Sequence, residues 1–76
     1  MGLPVRLSER SKMLYDEHHV FINGEAFEAR GRDAELMHKL ADARELSAKD
    51  LARLSKPAAQ LLDQWIAAGW ARGVDA

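Results

Sequence analysis

The sequence predicts an α+β domain in which one N-terminal β-hairpin packs on three short α-helices. Three observations carry that expectation. Val20-Phe21-Ile22 runs straight into Asn23-Gly24, apolar residues recur at helical spacing in three later stretches, and Ser47, Pro57 and Gly69 punctuate those stretches where helices begin and end.

The hairpin rests on Asn23-Gly24, whose tolerance of positive φ suits a two-residue type I′ turn. With strands over about 19–29, Ile22 faces Glu25, Phe21 faces Ala26, Val20 faces Phe27 and His19 faces Glu28. Val20, Ile22 and Phe27 then share the face turned to the core. Phe21 and Ala26 fall on the opposite face, so the hairpin is either covered on both sides or presents an apolar spot to a protein partner or a second copy. Upstream, residues 1–17 show Leu3, Val5 and Leu7 in a short alternation and then a polar stretch. They are expected to form a tether whose last turn is helical, with the domain itself at 18–72 and a tail at 73–76.

The first helix is expected near 33–44. Asp33 serves as its N-cap, Glu35 lies in the first turn where the helix dipole favours negative charge, and Leu36 and Leu40 face the core. Ser47-Ala48-Lys49-Asp50 resembles a capping box with Asp in place of Glu or Gln, opening a helix near 48–54 that buries Leu51 and Leu54. Pro57 suits the first turn of a third helix near 57–68, whose stripe of Leu61, Leu62, Trp65 and Ile66 is expected in the core and which Gly69 ends. Trp70 to Arg72 reads as a short closing strand. A two-stranded ribbon with three short helices is the outline of a helix-turn-helix with an added wing, so the expected architecture is winged-helix-like.

Composition narrows the function classes. The chain has 76 residues, no cysteine, and 11 Lys and Arg against 12 Asp and Glu. That length holds one domain, and the absence of cysteine excludes disulfides and thiolate metal sites and suits a reducing cytoplasm. Nothing approaches the roughly 18 to 20 apolar residues of a membrane span. Pro4, Arg6, Glu9, Arg10 and Lys12 interrupt the stretch where a signal peptide would be apolar, so neither a membrane protein nor an exported precursor is expected.

Candidate chemistry is sparse. Asp16-Glu17-His18-His19 is the densest group of metal-ligand types, but alternation along a strand sends His18 and His19 to opposite faces. The simpler reading is a solvated strand entrance with a His19 to Glu28 cross-strand pair, and His38 reads as a boundary residue with its ring edge in water. Ser8, Ser11, Ser47 and Ser55 read as caps or tether residues, with none in a nucleophile elbow, and Gly69 and Gly73 make no phosphate loop. No catalytic residue, cofactor or metal is therefore assigned. A helix-turn-helix would read DNA with its last helix, whose exposed positions here are Gln60, Asp63, Gln64 and Ala67. Only Lys56 supplies positive charge there, and the near-neutral total argues against duplex binding. The alternative of a small winged helix-turn-helix DNA-binding regulator rests on Arg30, Arg32 and Lys56 as phosphate contacts.

The succession Tyr15, Val20-Phe21-Ile22-Asn23-Gly24-Glu25-Ala26-Phe27, Gly31-Arg32-Asp33-Ala34, Leu40-Ala41-Asp42, Leu46, Leu61-Leu62-Asp63-Gln64-Trp65 and Ala68-Gly69-Trp70 resembles the C-terminal winged-helix domain of bacterial cupin-type ribosomal oxygenases. These are JmjC-like, iron- and 2-oxoglutarate-dependent hydroxylases of a ribosomal protein side chain. The resemblance spans about residues 14–72. The family's catalytic cupin domain, with its His-x-Asp and distal His ligands, has no counterpart, since no His-x-Asp or His-x-Glu occurs in this chain. The resemblance therefore implies a non-catalytic module, either part of a longer enzyme or a free-standing relative, that supports assembly and substrate presentation.

Overall fold

The computed structural model describes residues 4–74, so Met1 to Leu3 of the expected tether and Asp75 and Ala76 of the expected tail lie outside the described residues. In chain order the elements are β1 (Val5–Leu7), β2 (Met13–Tyr15), β3 (His19–Ile22), β4 (Glu25–Glu28), α1 (Gly31–Ala43), β5 (Glu45–Leu46), α2 (Ala48–Leu51), α3 (Lys56–Ala67) and β6 (Ala71–Gly73). The strands form two antiparallel sheets, ordered β2-β3-β4 and β5-β1-β6.

The hairpin has the expected register at all four pairs, His19 to Glu28 through Ile22 to Glu25. Its turn places Asn23 at φ 49° and Gly24 at φ 86°, the left-handed pair that matches the twist of the two strands. Val20 and Ile22 are buried, and Phe27 packs its ring against Trp65 with centroids 5.6 Å apart.

The segment expected to be a tether is instead part of the fold. Val5 and Leu7 enter the core as β1 joins β5 and β6, and Met13 enters it as β2 adds a third strand to the hairpin. Residues 13–15 are extended, not helical, because pairing with β3 satisfies backbone groups that a bare hairpin edge would leave open. Between β1 and β2 the chain turns through residues 8–12. Arg44, held at φ 62° after α1, donates from one guanidinium nitrogen to the Ser8 and Ser11 carbonyls at 2.7 and 2.9 Å. Buried Ser11 donates through its hydroxyl to the Trp70 carbonyl at 2.8 Å, which ties this turn to the far end of the chain.

Helix α1 begins two residues before the expected cap. Asp33 lies inside its first turn, where its carboxylate accepts from the Ser55 hydroxyl at 2.6 Å and the Ser55 amide at 3.0 Å. Ser55 in turn caps α3 by accepting from the Ala58 amide, so Asp33 braces one helix start against another. Ser47 caps α2 through the Asp50 amide as expected, although α2 is shorter than expected. Asp50 is buried and accepts from Lys39 Nζ at 2.6 Å, pinning α2 to α1.

The core gathers Leu36 and Leu40 of α1, Leu62 and Trp65 of α3, and Leu46 and Ala71 of the β5-β1-β6 sheet. Leu51, Leu54 and Leu61 are half-buried against it. Ile66, expected in the core, is 37% exposed, because Ala58, Leu62 and Trp65 already fill the inward stripe of α3. It borders an open groove with Leu51, Leu54 and Leu62. Helix α3 ends in a complete Schellman motif: Gly69, at φ 83°, donates to the Ile66 carbonyl and Trp70 donates to the Trp65 carbonyl.

Candidate protein-contact surface

The outer face of the β2-β3-β4 sheet has an apolar centre between charged ends. In cross-strand register, Leu14 stands opposite Phe21, and Phe21 stands opposite Ala26. All three are exposed, Leu14 at 71% and Phe21 at 37%, so an apolar row crosses three strands in water. Phe21 and Ala26 were expected here. Leu14 was not, because its place depends on a strand that the local sequence does not announce.

At the turn end of this face, Lys12 pairs with Asn23. The Lys12 amide donates to Asn23 Oδ1, and the Asn23 amide donates to the Lys12 carbonyl, each at 3.0 Å. At the other end lie Asp16, His19 and Glu28. Asp16 Oδ1 accepts from the His18 and His19 amides at 2.9 and 2.8 Å, and the His18 bond leads in holding this carboxyl below its ordinary range. The His19 ring turns to Asp16 at 3.3 Å and stacks beside Phe21, whereas Glu28 pairs with Arg30. The expected His19 to Glu28 side-chain pair is thus replaced by a local one, although the two residues are in register. Among the described residues no group of His, Cys, Asp and Glu is arranged to hold a metal.

On the inner edge of the same sheet, the Tyr15 ring stacks on His38 with centroids 3.9 Å apart. The Tyr15 hydroxyl donates to both Asp42 carboxylate oxygens, an arrangement that raises its pKa by favouring the phenol. His38 Nε2 is buried without a hydrogen-bond partner, which replaces the expected water-facing ring edge.

The residues of the DNA-binding alternative are exposed but lie apart from the apolar row. Arg30 is engaged by Glu28, Arg32 lies in the first turn of α1, and Lys56 begins α3. Gln60, Asp63, Gln64 and Ala67 form the solvent side of α3, as expected, and bring one negative charge and no positive one.

Two small antiparallel sheets and three short helices make the winged-helix arrangement. The family model described as ROXA-like winged helix matches residues 2–72. The chain belongs to the ROXA-like winged-helix family. No curated protein and no solved structure matches it. The ROXA-like match begins ahead of the residues that carry the resemblance to ribosomal oxygenases, and it takes in β1 and β2. No helix of this ROXA-like domain, among the described residues, is long and apolar enough to cross a membrane.

Proposed function

We propose that this chain is a non-catalytic protein-interaction module that pairs with a second copy of itself through the outer face of β2-β3-β4. The observation that carries the reading is the exposed row Leu14, Phe21 and Ala26. Burying it removes apolar area from water without desolvating a charge at its centre, the pattern of an interface core with a polar rim. Its ends make it self-complementary. Lys12 lies at one end, and Asp16 and Glu28 lie at the other. A two-fold axis in the plane between two facing sheets, perpendicular to the strands, sets each Lys12 over the acidic end of the other copy. The resemblance to the winged-helix domain of ribosomal oxygenases supports an assembly role within such an enzyme, whose iron and 2-oxoglutarate chemistry would belong to another domain.

The test sets self-association against duplex binding. Sedimentation velocity over a concentration series should show dimer formation in the native chain, lost in Phe21→Lys and kept in Arg32→Gln. Fluorescence anisotropy with duplex DNA at physiological salt should show little binding. Salt-sensitive duplex binding that survives Phe21→Lys but fails in Arg32→Gln would establish the DNA-binding regulator instead. A chain that stays monomeric at every concentration would overturn self-pairing.

A further inference from the structure

The second sheet carries a feature that self-pairing does not use. Arg6 of β1 and Arg72 of β6 are directly opposite each other in an antiparallel register. Like charges in that position repel, and a fold places them together at a cost. On its other side Arg6 meets Glu45 of β5, with a guanidinium nitrogen 3.4 Å from the carboxylate. Arg72 has no carboxylate within ion-pair distance among the described residues. The row therefore sets one Glu, paired with Arg6, against two Arg.

These residues border an open cleft of about 1060 Å³ whose lining includes Arg6, Arg10, Arg44 and Arg72 against the single acidic residue Glu9. The chain as a whole carries a net charge of −1, so this is a local concentration of positive charge and not a share of a general excess. Arg44 stiffens the wall, because its guanidinium is tied to the Ser8 and Ser11 carbonyls. Ser8 and Asn23 add neutral hydrogen-bonding groups, and half-buried Trp70 adds an apolar side.

We propose that this cleft binds a short acidic segment of a protein partner. One carboxylate bridges Arg6 and Arg72, and a second reaches Arg10. Guanidinium groups take carboxylates in paired, charge-assisted hydrogen bonds, and a carboxylate between Arg6 and Arg72 converts a repulsion into two attractions. A peptide suits the site better than a nucleic-acid strand. Glu9 would face a continuous line of phosphates, whereas carboxylates spaced along a peptide can avoid it. None of Leu14, Phe21 and Ala26 lines the cleft, which meets the outer face of β2-β3-β4 only at Asn23.

The experiment titrates the full chain, at low ionic strength, with a fluorescein-labelled Glu-Ser repeat peptide, its Gln-Ser twin and a single-stranded oligonucleotide of matched charge. The Glu-Ser peptide should bind and the Gln-Ser peptide should not. Arg72→Gln and Arg10→Gln should each weaken binding on the order of tenfold, the scale of one lost charge-assisted contact. Arg53→Gln, which removes the same charge outside the cleft, should leave binding unchanged. Arg72→Gln should also melt at or above the native temperature, because it relieves the repulsion with Arg6, whereas loss of a merely structural arginine would lower the melting point. Equal weakening by Arg53→Gln, no binding of the Glu-Ser peptide, or tighter binding of the oligonucleotide that is lost in Arg72→Gln would each overturn the proposal.

Discussion

Leu14 and Phe21 stand directly opposite each other on β2 and β3, and both side chains turn away from the core into water. Their neighbours along each strand do the reverse. Met13 pairs with Ile22, and Val20 pairs with Tyr15, on the inner face, where Met13, Val20 and Ile22 are buried. The two-residue period of a strand thus gives this small sheet two apolar faces, one satisfied by the helices and one left open.

The packing of α3 separates two leucine-like side chains of similar size. Leu62 is 3% exposed and Ile66 is 37% exposed. Leu62→Ala should cost about 2 to 5 kcal/mol, enough to unfold much of a domain this small, and Ile66→Ala under about 1 kcal/mol. Urea denaturation of the two variants checks the pair. Equal losses would place both residues in the core.

Gly69 tests the Schellman ending on its own. At φ 83° it has the left-handed backbone that L side chains disfavour, and a Cβ there would meet nothing within 4 Å. Gly69→Ala should therefore destabilise by about 1 to 2 kcal/mol through backbone strain alone. A neutral result in thermal unfolding would show that the chain end relaxes.

Acid should loosen the tie between α1 and α2. The hydrogen bond from Lys39 lowers the pKa of Asp50 from its ordinary 3.8. A depressed folded pKa contributes stability that is fully present above the ordinary value and is lost as pH falls through the folded one. Asp50→Asn should therefore melt below the native chain at neutral pH, and the gap should close below about pH 4. A gap of constant size down to pH 2 would mean that the carboxylate charge carries none of the difference.

The hairpin and the helices are legible because their signals are local. Asn23-Gly24 sets the register of four residue pairs, and Ser47 and Gly69 act where they stand in the chain. β1 and β2 are not legible in that way. Each has three residues, and each is extended because of a distant partner, Leu46 for Val5 and Ile22 for Met13. Asp33 misleads for a related reason: its residue type suits a cap, but Ser55 offers its carboxylate a partner across the fold. The same division runs through the surfaces. Phe21 and Ala26 follow from hairpin alternation alone, whereas Leu14 joins them, and Arg6 meets Arg72, only once distant strands pair.

Self-pairing of the outer face makes one demand that no other arrangement shares, because Lys12 of each copy must lie over the acidic end of the other. Lys12→Glu and Asp16→Lys should each weaken dimerisation alone, since each homodimer then sets like charges over each other at both ends. In an equimolar mixture position 12 of each copy again faces the opposite charge at position 16 of the other. Sedimentation equilibrium of that mixture is the decisive measurement. Dimer formation restored to about the native level is the result expected from antiparallel face-to-face pairing, and a mixture that associates no better than its two components would contradict it.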